Sequence, residues 1–224
     1  MRSSTVSSPF RMVAVAVLVV FALCAGAAAE AQDQAIRPAQ GGAAREFGFY
    51  GGVSPAPGEI GRDVNRAGGD TLIASLGTSG VLGARFEVNN SLVGGGVTVL
   101  GWLTSIDVQN EAGIDFPHHG KPPLIYLGEA RLYPFRQWLA RGRVSPYLSA
   151  GVGGALVSVD LDNVNDQELR HLWTWSAGAG VRIAVDDDGG TFVDVQYRAC
   201  FLSGSGPLVP FALHSIVVGV GLRG

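Results

Sequence analysis

The chain has 224 residues, of which 47% are hydrophobic and only 16% charged, with 33 glycines and a formal net charge of −3. A typical soluble domain carries about 25% charged residues, so this composition points away from an ordinary water-covered surface. Lys121 is the single lysine beside fifteen arginines, and with no Lys/Arg cluster a nucleic-acid partner is set aside.

Residues 1–31 read as an export signal. Arg2 and Arg11 precede an apolar run from Met12 to Ala29 that ends in small residues. Ala29-Glu30-Ala31 has the small-x-small form of a signal-peptidase site, which predicts cleavage before Gln32. A retained membrane anchor is the alternative reading, since the run is long enough to span. Cleavage leaves Cys200 alone, so the exported chain has no internal disulfide. Residues 32–44 read as a flexible periplasmic tail, and 45–224 as one domain.

That domain shows no period of 3.6. It shows alternation of period two, the mark of strands with one face unlike the other. The first strand is about Glu46 to Val53, with Phe47, Phe49 and Val53 on one face. A loop follows to Asp70. The second strand ends at Val88 and could begin at Thr71, because Leu72, Ala74 and Leu76 keep the parity of Leu82, Ala84, Phe86 and Val88. Asn89-Asn90 predicts a tight hairpin turn. The third strand runs from about Ser91 to Ile106, and Asp107 to Lys121 reads as a polar loop. The fourth, from Leu124, places Glu129 and Arg131 on one face with Ile125, Leu127 and Tyr133. A basic turn, Phe135 to Arg143, leads to a fifth strand, Ser145 to Val159. An acidic loop, Asp160 to Glu168, precedes a sixth, Arg170 to Val185. The seventh is Thr191 to Leu202. A Gly/Pro loop, Ser203 to Pro210, leads to the eighth, Phe211 to Arg223.

The connections alternate. Those after strands one, three, five and seven are long; those after two and six are very short, and the one after four is moderate. An up-and-down membrane barrel predicts this sorting, with both termini on the periplasmic side. The face that carries Glu46, Arg85, Glu87, Glu129, Arg131, Arg182, Asp194, Arg198 and Arg223 is otherwise mostly Gly, Ser and Thr. The opposite face has no charge in the strand cores. A soluble eight-stranded lipocalin-like barrel would reverse these faces, but the charged face has too few charges and too much glycine for a water-covered exterior. It suits the narrow interior of an eight-stranded barrel, and the uncharged face suits lipid, where an Arg or Lys would cost ~2–4 kcal/mol. The nine charges are expected to form a cross-strand ion network that fills the interior.

Glu129-Ala130-Arg131-Leu132-Tyr133-Pro134, the restart Arg143-Val144-Ser145-Pro146-Tyr147, Ala150-Gly151-Val152-Gly153, Ala177-Gly178-Ala179-Gly180-Val181-Arg182, Val195-Gln196-Tyr197-Arg198 and Val218-Gly219-Val220-Gly221-Leu222-Arg223 together resemble the small outer-membrane β-barrel proteins of the OmpA, OmpX and OmpW type. The resemblance covers about Glu46 to Gly224. It implies an all-β fold, an eight-stranded antiparallel up-and-down transmembrane barrel in the outer membrane of a Gram-negative-type cell. It implies as partners outer-membrane lipid, lipopolysaccharide and the barrel-assembly machinery, and it names no surface ligand. Such barrels usually end in an aromatic residue, whereas this chain ends Leu222-Arg223-Gly224.

No enzyme, cofactor or metal is expected. His118-His119 with Asp115 could hold a metal but reads as a solvated loop, since a site needs three or four converging ligands. Barrels that deacylate lipid A use a His and a Ser on one outer face; His214 and Ser215 are adjacent, so they point to opposite faces. Trp173, Trp175 and Tyr126 read as interface aromatics, with Phe47, Phe86 and Tyr197 spread along the same outer face. Cys200 reads as a small buried filler. The expected role is membrane-structural or surface-interacting, through four outer loops around a polar, side-chain-filled interior. The alternatives are a narrow channel for small or hydrophobic solutes, which a gap near Gly94 to Gly101 would favour, and a lipid A-modifying enzyme.

Overall fold

The computed structural model describes residues 44–64, 71–90, 92–104, 106–134, 143–158, 169–186, 190–206 and 208–224, without the side chains of 63–64 and 115–120. The expected signal segment, the tail up to residue 43, the acidic loop and most of the basic turn lie outside these residues. The strands are β1 (Ala44–Ser54), β2 (Gly58–Val64), β3 (Thr71–Leu76), β4 (Ser79–Asn89), β5 (Val93–Trp102), β6 (Ile106–Asn110), β7 (Asp115–Leu132), β8 (Val144–Ser158), β9 (Leu169–Ala184), β10 (Thr191–Leu202) and β11 (Phe211–Arg223). Eight of them form a closed antiparallel ring, β1-β4-β5-β7-β8-β9-β10-β11 and back to β1. Closure satisfies every wall strand on both sides and leaves no edge.

The wall has a simple packing rule. Large inward side chains stand opposite glycine on a neighbouring strand. Tyr50 pairs in register with Gly83 and Gly219, Glu129 with Gly96 and Gly151, Tyr147 with Gly180, Phe192 with Gly221, and Arg198 with Gly178. A Cβ at Gly96 would fall on the Phe86 carbonyl oxygen, and one at Gly219 would lie 2.6 Å from the Tyr50 ring. The glycines therefore make the space that the large side chains occupy, the alternation of large and small by which a narrow barrel is filled.

The short connections match expectation. At the β4–β5 hairpin the Asn90 side chain accepts hydrogen bonds from the backbone N–H groups of Leu92 (2.8 Å) and Val93 (2.7 Å), so it is the amide side chain that holds the turn.

The long connections differ from expectation. Two segments read as loops contain strands, β2 in the first and most of β6 with the first part of β7 in the second; with β3 they form a sheet in the order β2-β3-β6-β7. β3 is no extension of the wall. Leu72 is 4% exposed whereas Leu82, of the same parity, is 55% exposed. The chain turns at Gly77-Thr78, between the end of β3 and the start of β4, and parity is lost there. The third wall strand likewise stops at Trp102, and Ile106 opens a new strand that pairs with β3. One face of the added sheet buries Ile60, Leu72, Ala74, Leu76, Ile106 and Val108 in a core continuous with inward residues of the barrel. The sheet is therefore a cap whose apolar face meets the apolar interior. The fourth long connection joins it: Val209 donates its N–H to the Ile60 carbonyl (3.1 Å), and Gly61 bridges to Leu208.

Within the wall β7 carries one interruption; in the cap its register with β6 also shifts. Its register with β8 shifts between Lys121 and Leu124, across Pro122-Pro123. Proline has no N–H to donate, so each of the two removes one ladder bond from β7.

Candidate functional site

The candidate site is the barrel interior, and it has two halves. Toward the short-turn rim the structure brings together all nine charges singled out in the sequence. Glu46, Arg85, Glu87, Glu129, Arg131, Arg182, Asp194 and Arg198 are buried at 7% exposure or less, and Arg223 lies at the rim with 28% of its side chain exposed.

Asp194 on β10 is the hub. It faces Arg131 at 3.0 Å, Arg85 at 3.5 Å and Arg182 at 3.6 Å, and it accepts hydrogen bonds from the hydroxyls of Tyr50 (3.3 Å) and Tyr147. Glu46 and Glu87 are direct cross-strand partners on β1 and β4. Like charges so placed repel, and Arg182 reaches across from β9 to both, pairing with Glu46 and lying 3.5 Å from Glu87. Arg223 holds the other oxygen of Glu46 at 2.6 Å. Glu129 pairs with Arg131 at 2.8 Å and with Arg198, and accepts from Thr98 at 3.0 Å. Each carboxylate is thus compensated by at least two guanidinium groups, the condition under which buried charges become tolerable.

Aromatic rings complete this half. Arg131 stands over the Tyr147 ring at 4.2 Å, and Arg182 over Phe192 at 4.4 Å and Tyr133 at 5.1 Å. Tyr133 also donates to Glu87 at 2.7 Å, and Gln196 accepts from Arg131 and Arg198, both at 3.2 Å. The sequence reading counted charges alone and missed Tyr50, Tyr133, Tyr147 and Gln196 as members. The signal was present: Tyr50, Tyr133 and Gln196 share the parity of the charges on their strands, and Tyr147 shares that of Ser145, Ser149 and the glycines on a strand without charges.

Toward the long-loop rim the interior changes character. Val81, Leu100, Trp102, Ile125, Leu127, Ala155, Leu172, Cys200, Leu213 and Val217 point inward and are buried, continuous with the cap. The expected polar interior therefore extends through one half only; the other is an apolar core. Cys200 is inward and fully buried.

The outer wall carries the expected aromatics, Trp173, Trp175, Tyr126 and Tyr197, all facing out. Trp175 stacks on Phe201 at 3.9 Å. Two histidines share this face, each bonded to a tyrosine hydroxyl: His171 Nε2 to Tyr126, and His214 Nδ1 to Tyr197 at 2.6 Å. His214 is exposed and Ser215 is 1% exposed, on opposite sides of β11. The side chains of Asp115, His118 and His119 lie outside the described residues; among the described residues no group of three His, Cys, Asp or Glu could hold a metal.

No family model matches the chain, and no curated protein matches it significantly. Among solved structures, Neisserial surface protein A is similar with a TM-score of 0.53 at 14% identity, over 80% of this chain and 96% of that one. The outer-membrane protein OprG of Pseudomonas aeruginosa gives a TM-score of 0.48 at 15% identity, over 83% and 98% of the two chains. The N-terminal barrel domain of OprF from the same organism gives 0.45 at 14% identity, over 83% and 100%. The assignment of fold rests on the ring of eight paired strands and on the first of these likenesses: the chain is a small eight-stranded antiparallel up-and-down β-barrel, with the fold of the Neisserial surface protein.

Proposed function

We propose that this barrel resides in the outer membrane, spans it as a filled plug, and has a membrane-structural or surface-interaction role exercised through its capped long-loop rim. The observation that carries this reading is the filling of the interior from end to end. All nine inward charges have an opposite charge within 4.0 Å, and the remaining half is packed with apolar side chains. A water-filled path would need polar lining throughout, and eight strands enclose little more than their own side chains. The apolar outer wall, with Val53, Val97, Val152 and Val218 all more than half exposed, suits contact with lipid. On this reading the partners are outer-membrane lipid, lipopolysaccharide and the barrel-assembly machinery.

The test is current through planar bilayers containing the purified, folded protein. No reproducible unitary conductance is expected; a stable conductance would overturn the plug. Fractionation of the expressed protein with soluble periplasmic material would overturn the membrane placement.

A second reading, passage of small apolar solutes, is favoured by one observation. The stretch Gly94 to Gly101, where a lateral gap would have indicated transport, is laddered on both sides. The interruption lies instead at Pro122-Pro123, beside the apolar half. Leu124 and Leu156 are cross-strand partners next to it. A disulfide between L124C and L156C would abolish cellular uptake of an apolar dye on the second reading and leave it unchanged on the first. A lipid A-modifying role has the weakest support, because His214 and Ser215 do not share a face.

A further inference from the structure

We propose that the interior holds one small monovalent anion, of halide size, where the ion network meets the apolar core, bound by Arg198 on β10 and Ser215 on β11. Arg85, Arg131 and Arg182 each face two or more carboxylates. Among the described residues Arg198 faces Glu129 alone, and Glu129 is shared with Arg131 and Thr98. The Nη2 of Arg198 serves Glu129 and Gln196, while its Nη1 is buried and has no acceptor among the described residues. Ser215, its direct cross-strand partner, has a buried hydroxyl that also lacks a partner. Side chains so paired are neighbours about 5 Å apart at Cβ. Two orphaned donors side by side, one on a cation, fit a negatively charged acceptor.

The surroundings fix its side and strengthen its hold. Beyond Arg198 and Ser215 the inward residues are Cys200, Leu202 and Leu213, with Thr174 and Ser176 opposite them on β9; all are buried, so water is excluded and a guanidinium–anion contact is strong there. On the other side of Arg198 the register partner is Gly178, and even a methyl there would lie 2.8 Å from Ser149 Oγ and 3.1 Å from Gln196 Nε2. That side of Arg198 is closed, so the ion lies on its Ser215 side.

The test uses the full folded barrel in detergent micelles. Sodium chloride is exchanged for sodium gluconate at constant ionic strength, and the urea midpoint is read. The midpoint is expected to rise saturably with chloride, and bromide should substitute for it. Ser215→Ala leaves every ion pair intact and should raise the half-saturating chloride about tenfold, the loss of one hydrogen bond to a charge. Arg198→Gln should abolish the response; if that variant does not fold, Ser215→Ala and a direct observation decide. The direct observation is anomalous scattering from bromide-grown crystals, with a peak expected in hydrogen-bonding reach of Arg198 and Ser215. A chloride response that does not saturate, or that Ser215→Ala leaves unchanged, overturns the proposal, as does a bromide-grown crystal without that peak.

Discussion

The two halves of the barrel interior fill equally narrow space by opposite means. Near the short turns the filling is ionic: arginines, acids and tyrosines, set against glycines on the facing strands. Near the long loops it is aliphatic, and the wall alone is insufficient, so a strand-built cap completes it. The difference teaches how each kind of filling fails. An apolar core loses stability in proportion to the volume removed, and its neighbours relax into part of the cavity. An ion network cannot relax in that way, because removing one member strands the charge of another.

Substitutions can break or sharpen that contrast. The largest effect is expected for Asp194→Asn, which preserves shape but withdraws the charge that three arginines face. It should cost about 3–5 kcal/mol in urea unfolding from micelles. Leu172→Ala, in the apolar half, should cost about 2–4 kcal/mol and leave the ion network untouched. If Leu172→Ala proves more damaging than Asp194→Asn, the contrast between the halves fails. Gly96→Ala comes next, at about 1–3 kcal/mol, because its methyl would meet the Phe86 carbonyl and crowd Glu87. Glu59→Gln, on the cap, should leave the midpoint unchanged. Arg62 hydrogen-bonds Glu59 and holds its carboxyl below the ordinary carboxylate range. A lowered acid contributes stability above its unfolded pKa and loses it as pH falls through the folded one. This pair is exposed and screened, so acid titration of the cap should show no step that Glu59→Gln removes.

Most of the wall was legible in the sequence because alternation is dictated by two unlike solvents on either side of a strand. Ser145 to Gly153 and Thr191 to Arg198 alternate without error, and the charges on one parity marked the inside. What was illegible followed from the same logic. The interior is not one solvent along its length. Ile125 and Leu127 share a parity with Glu129 and Arg131, and they are as deeply buried, so face alone could not separate the two halves. The cap was hidden for a different reason. β2 is seven residues long and β6 five, too short for a period to emerge from segments rich in glycine and polar residues. Leu72, Ala74 and Leu76 keep parity with the outward residues of β4, and only the turn at Gly77 carries them to the other side. The tyrosines of the network share the inward parity, but a count of formal charges does not include a neutral hydroxyl that donates to them.

The bond between Arg182 and Glu46 spans 136 residues, and that between Arg223 and Glu46 spans 177. Both cations that neutralise the acid of the first strand are therefore made last. Until β9 and β11 arrive, the strands from β1 to β7 hold three inward acids, Glu46, Glu87 and Glu129, against two inward arginines, Arg85 and Arg131. A half-built wall thus has an uncompensated negative charge on the side that must become dry. Its acids must stay in contact with water until the C-terminal strands dock, so closure of the ring and drying of its interior are a single event in time.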